Sequence, residues 1–359
     1  MVATALVLGC LNGLVALVSP KPSVFWQNPL MVMYPVDSFD EKVAEERFNH
    51  DDSPTRSVRY VPDDQRWYRL DPEPKIPAFG KLILNFGDSS TYGWGLGNRD
   101  QAYASDLNDL IPGVVSINLG VPGYSSLQGL RYVQELLPRY HDRVVGVTLY
   151  FGNNDSTENG SEDGTKLAAV TEWPTLLRQY FALFRVMQDA LPRKAGHNRS
   201  PRVSPEEYLA NLRDMAAIVR GYGIPVVVIA PPLNRSWPPG YRTHTSSLDP
   251  YVNNGWVAIE LASARHLHQE GLRLWEEGDD RADDLLGASV EHDWIVPRLK
   301  TRWANQLDVL QQEGVSVARL DPHFTGAEFP YMFVDYCHPS ARTHEQIAER
   351  IMENLNMRQ

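Results

Sequence analysis

The sequence is poor in cysteine and has no cluster of basic residues, and each shortage excludes a class of protein. Among its 359 residues are two cysteines, Cys10 and Cys337, and there is no CxxC pair and no HExxH motif. No spacing typical of a zinc site is therefore present. The formal net charge is -11, and Lys and Arg form no run that could bind a row of phosphates. We expect no metal, no cofactor and no nucleic-acid partner.

Charge is also absent from the first 18 residues. Residues 1–18 are mostly apolar, and a helix needs about 20 apolar residues to cross a bilayer. The segment predicts a membrane anchor or signal segment, with a buried core helix as the alternative. No Lys or Arg precedes it, whereas Lys21 follows it. Under the positive-inside rule that placement favours the opposite orientation to export of the rest of the chain.

Residues 19–80 are rich in proline and in charged residues. Proline fixes φ and lacks a backbone N–H, so its frequency predicts an extended arm between the N-terminal segment and the folded domain. A short helix over residues 37–48 is the one regular element expected in this arm.

Regular structure is expected from residue 81 onward. Short apolar runs predict buried strands over residues 81–86, 114–118, 144–151, 225–230 and 315–320. Helical patterns occur over residues 102–110, 127–137, 167–191, 205–220 and 340–355. Strands that alternate with helices form βαβ units, so we predict an α/β domain over residues 81–359 whose parallel sheet is covered on both faces.

Residues 233–314 interrupt this alternation. A proline-rich loop opens the stretch, and helical patterns follow over residues 255–277, 281–287 and 296–312. Two interpretations remain open, a helical insertion beside the active site or a plain crossover connection with extra helices.

A serine follows the first predicted strand directly, in the tripeptide Gly87-Asp88-Ser89. Ligand sites in parallel sheets lie at the carboxyl ends of the strands. A helix that begins there offers unpaired N–H groups and a partial positive charge, which stabilise a developing alkoxide or oxyanion. Ser89 is therefore a candidate nucleophile.

Two further loops follow the next two strands. The loop over residues 118–126 contains Gly120 and Gly123, and a glycine lets the backbone approach a ligand closely. The sequence Gly-Asn-Asn-Asp at residues 152–155 supplies amide side chains that can donate to an oxyanion. Turns that need positive φ or Asx hydrogen bonds would have the same composition.

A carboxylate precedes a histidine by three residues just before the last predicted helix, as Asp335 and His338. At this spacing the carboxylate can fold back onto the imidazole ring within one turn and fix its tautomer. An imidazole held in this way can act as the base for a serine.

Taken together, these four blocks resemble the SGNH/GDSL hydrolase family over about residues 81–355. That family is named for a Ser, a Gly, an Asn and a His in separate blocks. The resemblance implies that Ser89 is the nucleophile, His338 the general base and Asp335 the acid that orients it. No G-x-S-x-G elbow occurs, which disfavours an ordinary α/β-hydrolase.

The resemblance also implies an oxyanion hole made by the backbone N–H groups of Ser89 and Gly123 and the side chain of Asn154. Gly120 is the alternative glycine. Ser90 stands where the family name has Leu, and the N-terminal segments and the helical insertion depart from the family pattern. The Ser90 difference is minor, and it is the N-terminal segments and the helical insertion that leave the substrate open.

The implied fold is a flavodoxin-like three-layer α/β/α sandwich with a mostly parallel five-stranded sheet. The implied activity is a serine esterase that cleaves a carboxylic ester of a lipid or an O-acylated glycan through an acyl-enzyme. The alternatives are an O-acyltransferase acting on an envelope polysaccharide and a non-catalytic binding protein. With an N-terminal anchor, the domain is expected in the periplasm or outside the cell. The oligomeric state is left open.

Overall fold

The computed structural model describes residues 9–15, 58–61, 66–69, 79–97, 99–157, 162–164, 200–240, 255–294, 296, 298–320 and 332–355. Its strands, in chain order, are β1 Val58–Val61, β2 Arg66–Arg69, β3 Lys81–Gly87, β4 Val114–Gly120, β5 Val144–Tyr150, β6 Val226–Ile229 and β7 Ser316–Ala318. Its α-helices from residue 89 onward are α1 Ser89–Tyr92, α2 Tyr103–Leu110, α3 Ser126–Tyr140, α4 Pro205–Gly221, α5 Gly255–Glu276, α6 Arg281–His292, α7 Thr301–Gln312 and α8 Ala341–Asn354.

Five strands form one sheet in the order β4-β3-β5-β6-β7, and every neighbouring pair in it is parallel. Numbered along the domain, this is the order 2-1-3-4-5 of a flavodoxin-like fold. The predicted fold class is confirmed. Because all the strands run the same way, the loops after β3, β4 and β5 leave the sheet at the same edge.

Alternating side chains of β3 face two separate cores. Leu82, Leu84 and Phe86 are fully buried against α3, α4 and α7, whereas Ile83 packs with α2 and α8 on the opposite face. Buried strands of a parallel sheet are apolar on both faces for this reason. The helices thus form two outer layers around the sheet.

The stretch between β6 and β7 contains both of the arrangements that the sequence left open. Helix α7 packs on α4 and β7, so it is the crossover helix that returns the chain to the sheet. Helices α5 and α6 instead pack mainly on each other. Ser289 Oγ of α6 donates to the Ala264 carbonyl of α5 at 2.8 Å, so these two helices form an inserted hairpin.

Two predicted helix ends in this stretch are wrong. Helix α6 continues to His292 rather than ending at residue 287. Gly287 therefore lies inside the helix, where a side chain in its place would meet no atom within 4 Å. Helix α7 begins at Thr301 rather than at residue 296. The extended backbone of Lys300, at φ -92° and ψ 157°, sets this start, and the Leu299 N–H just before it donates to the Asn153 side chain at 3.0 Å.

The N-terminal part is described only in pieces. Residues 9–15 are helical, and within the described ranges no helix is long and apolar enough to cross a membrane. Strands β1 and β2 pair antiparallel inside the proline-rich arm, an element that we did not predict. The helices predicted over residues 37–48 and 167–191 lie outside the described residues.

Candidate active site

Ser89 begins a one-turn helix at the carboxyl end of β3. The Asp88 side chain caps this helix by accepting the Ser90 N–H at 2.8 Å. Gly93 ends it in the left-handed region at φ 88°, where glycine meets no Cβ penalty. A side chain at Gly87 would collide with Thr91 and approach the Tyr150 carbonyl to 2.7 Å. Gly87 therefore lets the chain turn sharply between strand and helix.

The structure brings Ser89, His338 and Asp335 into one hydrogen-bonded chain. The Nε2 atom of His338 lies 2.7 Å from the Ser89 hydroxyl oxygen, and its Nδ1 atom lies 2.6 Å from Asp335 Oδ2. A neutral imidazole in this position can take the hydroxyl proton while the carboxylate holds the opposite ring nitrogen. The arrangement can therefore activate a serine.

The Asp335–His338 loop is held by its own backbone. Asp335 Oδ1 accepts the N–H groups of Cys337 and His338 at 3.0 and 2.9 Å. The Val334 N–H donates to the His338 carbonyl at 2.9 Å, which closes the loop, and Ser340 caps α8 directly after it. Both carboxylate oxygens of Asp335 are thus engaged, and the side chain points at the imidazole.

Burial and charge act in opposite directions on this pair. Burial lowers the pKa of His338, but the charge of Asp335 and the hydrogen bond that this carboxylate accepts from the ring outweigh burial and raise that pKa above its ordinary value. Burial likewise raises the pKa of Asp335, and the histidine charge together with the hydrogen bonds brings it below its ordinary value. Asp335 therefore stabilises the charged form of the His338 ring. A general base needs this stabilisation, because it holds a proton during catalysis.

Two aromatic rings lie beside the imidazole, and sequence reasoning did not single them out. The ring centroids of Trp94 and Tyr336 lie 6.2 and 5.8 Å from that of His338. They flank His338, which is 4% exposed. Both residues are close in sequence to the site residues, since Trp94 comes just after the serine helix and Tyr336 lies between Asp335 and His338.

Asn154 also reaches the serine loop. Its side-chain amide donates to Asp88 Oδ2 at 3.2 Å and to the Tyr124 carbonyl at 3.1 Å. An amide nitrogen carries two hydrogens, and here both have acceptors. Any donation from Asn154 to a substrate therefore requires one of these bonds to be shared or exchanged.

Asp88 is a site residue to which the sequence analysis gave no role. It is fully buried below the serine, and burial raises the pKa of its carboxyl to about 6, against the effect of its hydrogen bonds. It connects the serine helix to Asn154 through its two oxygens. The available signal was its position, because an Asp just before a helix is a common cap.

Asn153 points away from the serine. It is 2% exposed, and its side-chain oxygen accepts the Leu299 N–H at 3.0 Å. Of the two adjacent asparagines, only Asn154 contacts the serine loop among the described contacts. Asn153 instead joins this loop to the segment before α7.

The two candidate glycines of the β4 loop differ in their surroundings. Gly120 is the last residue of β4, and its N–H donates to the Asn118 side chain at 3.0 Å. A side chain there would collide with the backbone of α1, so Gly120 allows β4 to lie against the serine helix. Gly123 lies farther along the loop at φ 79°, a conformation that favours glycine.

Among the described residues, one group of potential metal ligands is found, Asp335, Cys337 and His338. The Cys337 thiol is buried, and burial raises its pKa well above the ordinary value, whereas a metal ligand must be a thiolate. Asp335 and His338 already bind each other. The group fits a hydrogen-bonded site better than a metal site.

A serine, a histidine and a carboxylate joined in this order at the carboxyl edge of a parallel sheet form the arrangement of a serine hydrolase, and the family match identifies it as one that acts on ester bonds. The chain belongs to the GDSL-like lipase/acylhydrolase family, whose model matches residues 86–292. The matched part contains Ser89, Gly123 and Asn154. Asp335 and His338 lie beyond it and join the site through the fold.

Distant structural relatives include a lipase/acylhydrolase from Enterococcus faecalis, at 15% identity over 77% of this chain and 96% of the relative, with a TM-score of 0.38. A catalytic mutant of the acetylxylan esterase Axe2 from Geobacillus stearothermophilus shares 13% identity over 78% and 96% of the two chains, with a TM-score of 0.38. A lipolytic G-D-S-L protein from Veillonella parvula shares 12% identity over 76% of this chain and 97% of the relative, with a TM-score of 0.36. None of the curated proteins matches this sequence.

The raised pKa of His338 can be measured directly. In an NMR titration the His338 ring should titrate above 6.5, the ordinary value, and Asp335→Asn should lower its pKa because the opposing charge is lost. His344 is an internal comparison, since burial lowers its pKa to about 3 and it should stay neutral from about pH 5 to 9. A His338 pKa that is unchanged in Asp335→Asn would contradict this account.

Proposed function

We propose that this hydrolase cleaves a carboxylic ester through a covalent acyl-enzyme on Ser89. The observation that carries the proposal is the continuous chain of hydrogen bonds from Ser89 Oγ through His338 to Asp335, with lengths of 2.7 and 2.6 Å. A serine hydroxyl is a weak nucleophile unless a base takes its proton. His338 is in contact with that hydroxyl and with the carboxylate that stabilises its charged form.

The first half-reaction forms the acyl-enzyme. Ser89 Oγ attacks the acyl carbon while its proton passes to Nε2 of His338. The C–O bond to the alcohol then breaks, and the same proton goes to the leaving oxygen. In the second half-reaction His338 takes a proton from water, the resulting hydroxide attacks the acyl carbon, and Ser89 is released with its proton. Asp335 keeps its negative charge throughout.

The oxyanion is assigned to the backbone N–H groups of Ser89 and Gly123 and to the Asn154 amide. Ser89 lies in the first turn of α1, where an N–H has no acceptor within the helix. Gly123 is preferred to Gly120 because the Gly120 N–H is occupied by Asn118. The contact of Asn154 with Asp88 supports its placement beside the nucleophile.

The substrate is proposed as an ester of a lipid or of an O-acylated glycan, since the family includes lipases and acylhydrolases. A non-catalytic role is disfavoured because such proteins would be expected to lose the serine or the histidine. Activated esters with acyl chains from acetate to palmitate, with and without a sugar acceptor, would separate hydrolysis from acyl transfer.

Ser89→Ala should abolish hydrolysis of an activated ester, with a loss in kcat on the order of 10⁴ or more. The fold should persist, because Ser89 is at the surface of the site and the Asp88 cap does not use its hydroxyl. Turnover and thermal unfolding of the purified variant provide the measurement. Ser90→Ala is the control and should cost much less. A Ser89 variant with normal turnover would refute the proposed nucleophile.

Asn154→Ala should lower kcat by roughly 10²–10³ with little change in KM, as expected for one lost oxyanion donor. Asn153→Ala should lower the melting temperature, because its side chain binds the Leu299 N–H and a buried donor would lose its acceptor. It should lower kcat less than Asn154→Ala does. Steady-state kinetics and melting curves of both variants make the comparison. The opposite ranking of kcat would assign the oxyanion role to Asn153.

We also propose that residues 1–18 tether the protein to a membrane with the hydrolase domain outside the cytoplasm. The lack of charge in this segment and its length, close to the roughly 20 residues of a membrane span, support the tether. Lys21 directly after it favours the opposite orientation, and the experiment separates the two orientations. Fractionation with external protease on intact spheroplasts should find the full-length protein in the membrane and open to cleavage. Protein that is soluble in the cytosol or protected from the protease would overturn this placement.

A further inference from the structure

Two ion pairs that sequence analysis did not anticipate are buried on either side of the site. Arg298 Nη2 lies 2.7 Å from Asp293 Oδ2, with side chains 1% and 0% exposed. Arg202 Nη2 lies 2.9 Å from Asp163 Oδ2, with side chains 2% and 0% exposed. Removing two charges from water is costly, and buried pairs often add little net stability. We therefore ask which loops these two pairs hold in place.

The Arg298–Asp293 pair organises the loop that follows β6. Arg298 Nη1 donates to the carbonyl oxygens of Asn234 and Trp237 at 2.8 and 3.1 Å. Asp293 Oδ2 accepts the Gly240 N–H at 3.3 Å in addition to the arginine. This loop therefore contacts the buried pair at three backbone positions.

The same loop reaches the histidine side of the active site. The Asn234 side chain is 5% exposed, and its amide donates to the Asp335 carbonyl at 2.7 Å. Its side-chain oxygen accepts the Ser236 hydroxyl at 3.0 Å, which fixes the orientation of the amide. Arg298 thus holds the backbone of Asn234 and Ser236 holds its side-chain oxygen, while its side-chain amide binds the backbone carbonyl of Asp335.

We propose that Asn234, anchored by the Arg298–Asp293 pair, is a positioning residue that holds Asp335 in register with His338. This inference rests on the proposed function, since it assigns Asn234 a part in the same serine chemistry. A displacement of about 1 Å at a reacting group can cost on the order of 100-fold in rate. Fixing the peptide of Asp335 limits such movement of its carboxylate.

The Arg202–Asp163 pair provides a contrast because it acts on the oxyanion side. Arg202 Nη1 donates to the Gly123 carbonyl at 2.8 Å, and its Nη2 donates to the Gln128 side chain at 3.0 Å. That side chain also caps α3 by accepting the Ser125 N–H. A change at Arg202 should therefore disturb the Gly123 loop without moving Asp335.

The test is Asn234→Ala, measured by kinetics, by NMR titration of His338 and by thermal unfolding. We expect kcat to fall about 10- to 100-fold with little change in KM. The His338 pKa should move downward, because a misplaced Asp335 stabilises the charged ring less while burial still opposes it. The acid limb of the activity profile should shift to lower pH by the same amount. Asn234→Ser is the second variant if the alanine variant does not fold.

Two controls separate positioning from general destabilisation. Ser289→Ala removes a buried hydrogen bond within the inserted hairpin and should lower stability without moving the His338 pKa. Arg202→Met should lower kcat and also leave that pKa in place. If Asn234→Ala lowers only the melting temperature, or leaves the His338 pKa unchanged, the positioning role is refuted.

The titration does not depend on activity. Failure of the proposed nucleophile would be seen in Ser89→Ala, whereas failure of the positioning role would be seen in Asn234→Ala.

Discussion

The structure of the site depends on one hydrogen bond, which joins His338 Nε2 to Ser89 Oγ at 2.7 Å across 249 residues of sequence. This bond forms only if the loop that carries Ser89 and the loop that carries His338 are held at fixed positions relative to each other. The parallel sheet fixes the serine by ending β3 at Gly87, and α8 fixes the histidine by packing on the opposite core. A rigid scaffold that presents loops at one sheet edge is the usual solution to this requirement.

The site is held together by polar groups that are buried below it, and this has an electrostatic consequence. Asp88 and Asp155 are fully buried, and burial raises the pKa of their carboxyls to about 6 and about 7. Each is used to fix a loop, since Asp88 binds the Ser90 N–H and Asp155 binds the Ser126 N–H at 2.9 Å. Backbone N–H groups compensate part of the cost of burying a carboxylate. The polar interior therefore positions the loops whose ends meet at Ser89.

The α5–α6 hairpin adds a further element next to this frame. The C-terminal end of α6 is connected to the site through the loop after β6, because Asp293 at that end pairs with Arg298. Arg298 donates to the Asn234 carbonyl, and Asn234 donates to the Asp335 carbonyl. His268 on α5 adds a contact to the Ser236 carbonyl at 3.0 Å. The insertion is thus attached to the histidine side of the site, and the Arg202–Asp163 pair is attached to the glycine loop.

The sequence by itself determined the five strands, their alternation with helices and the four blocks that carry Ser89, Gly123, Asn154, Asp335 and His338. These depend on local patterns, because apolar runs mark buried strands and short motifs mark the loops that follow them. Only the tertiary structure separated the crossover helix from the inserted hairpin and showed that Asn153 binds the Leu299 N–H instead of the serine loop. It alone revealed the contacts of Arg298 and Asn234, single polar residues without a motif. Arg298 binds the carbonyl of Asn234, 64 positions away, and Asn234 binds Asp335, 101 positions away. Which distant polar groups meet in the interior is decided by the packing of the whole chain.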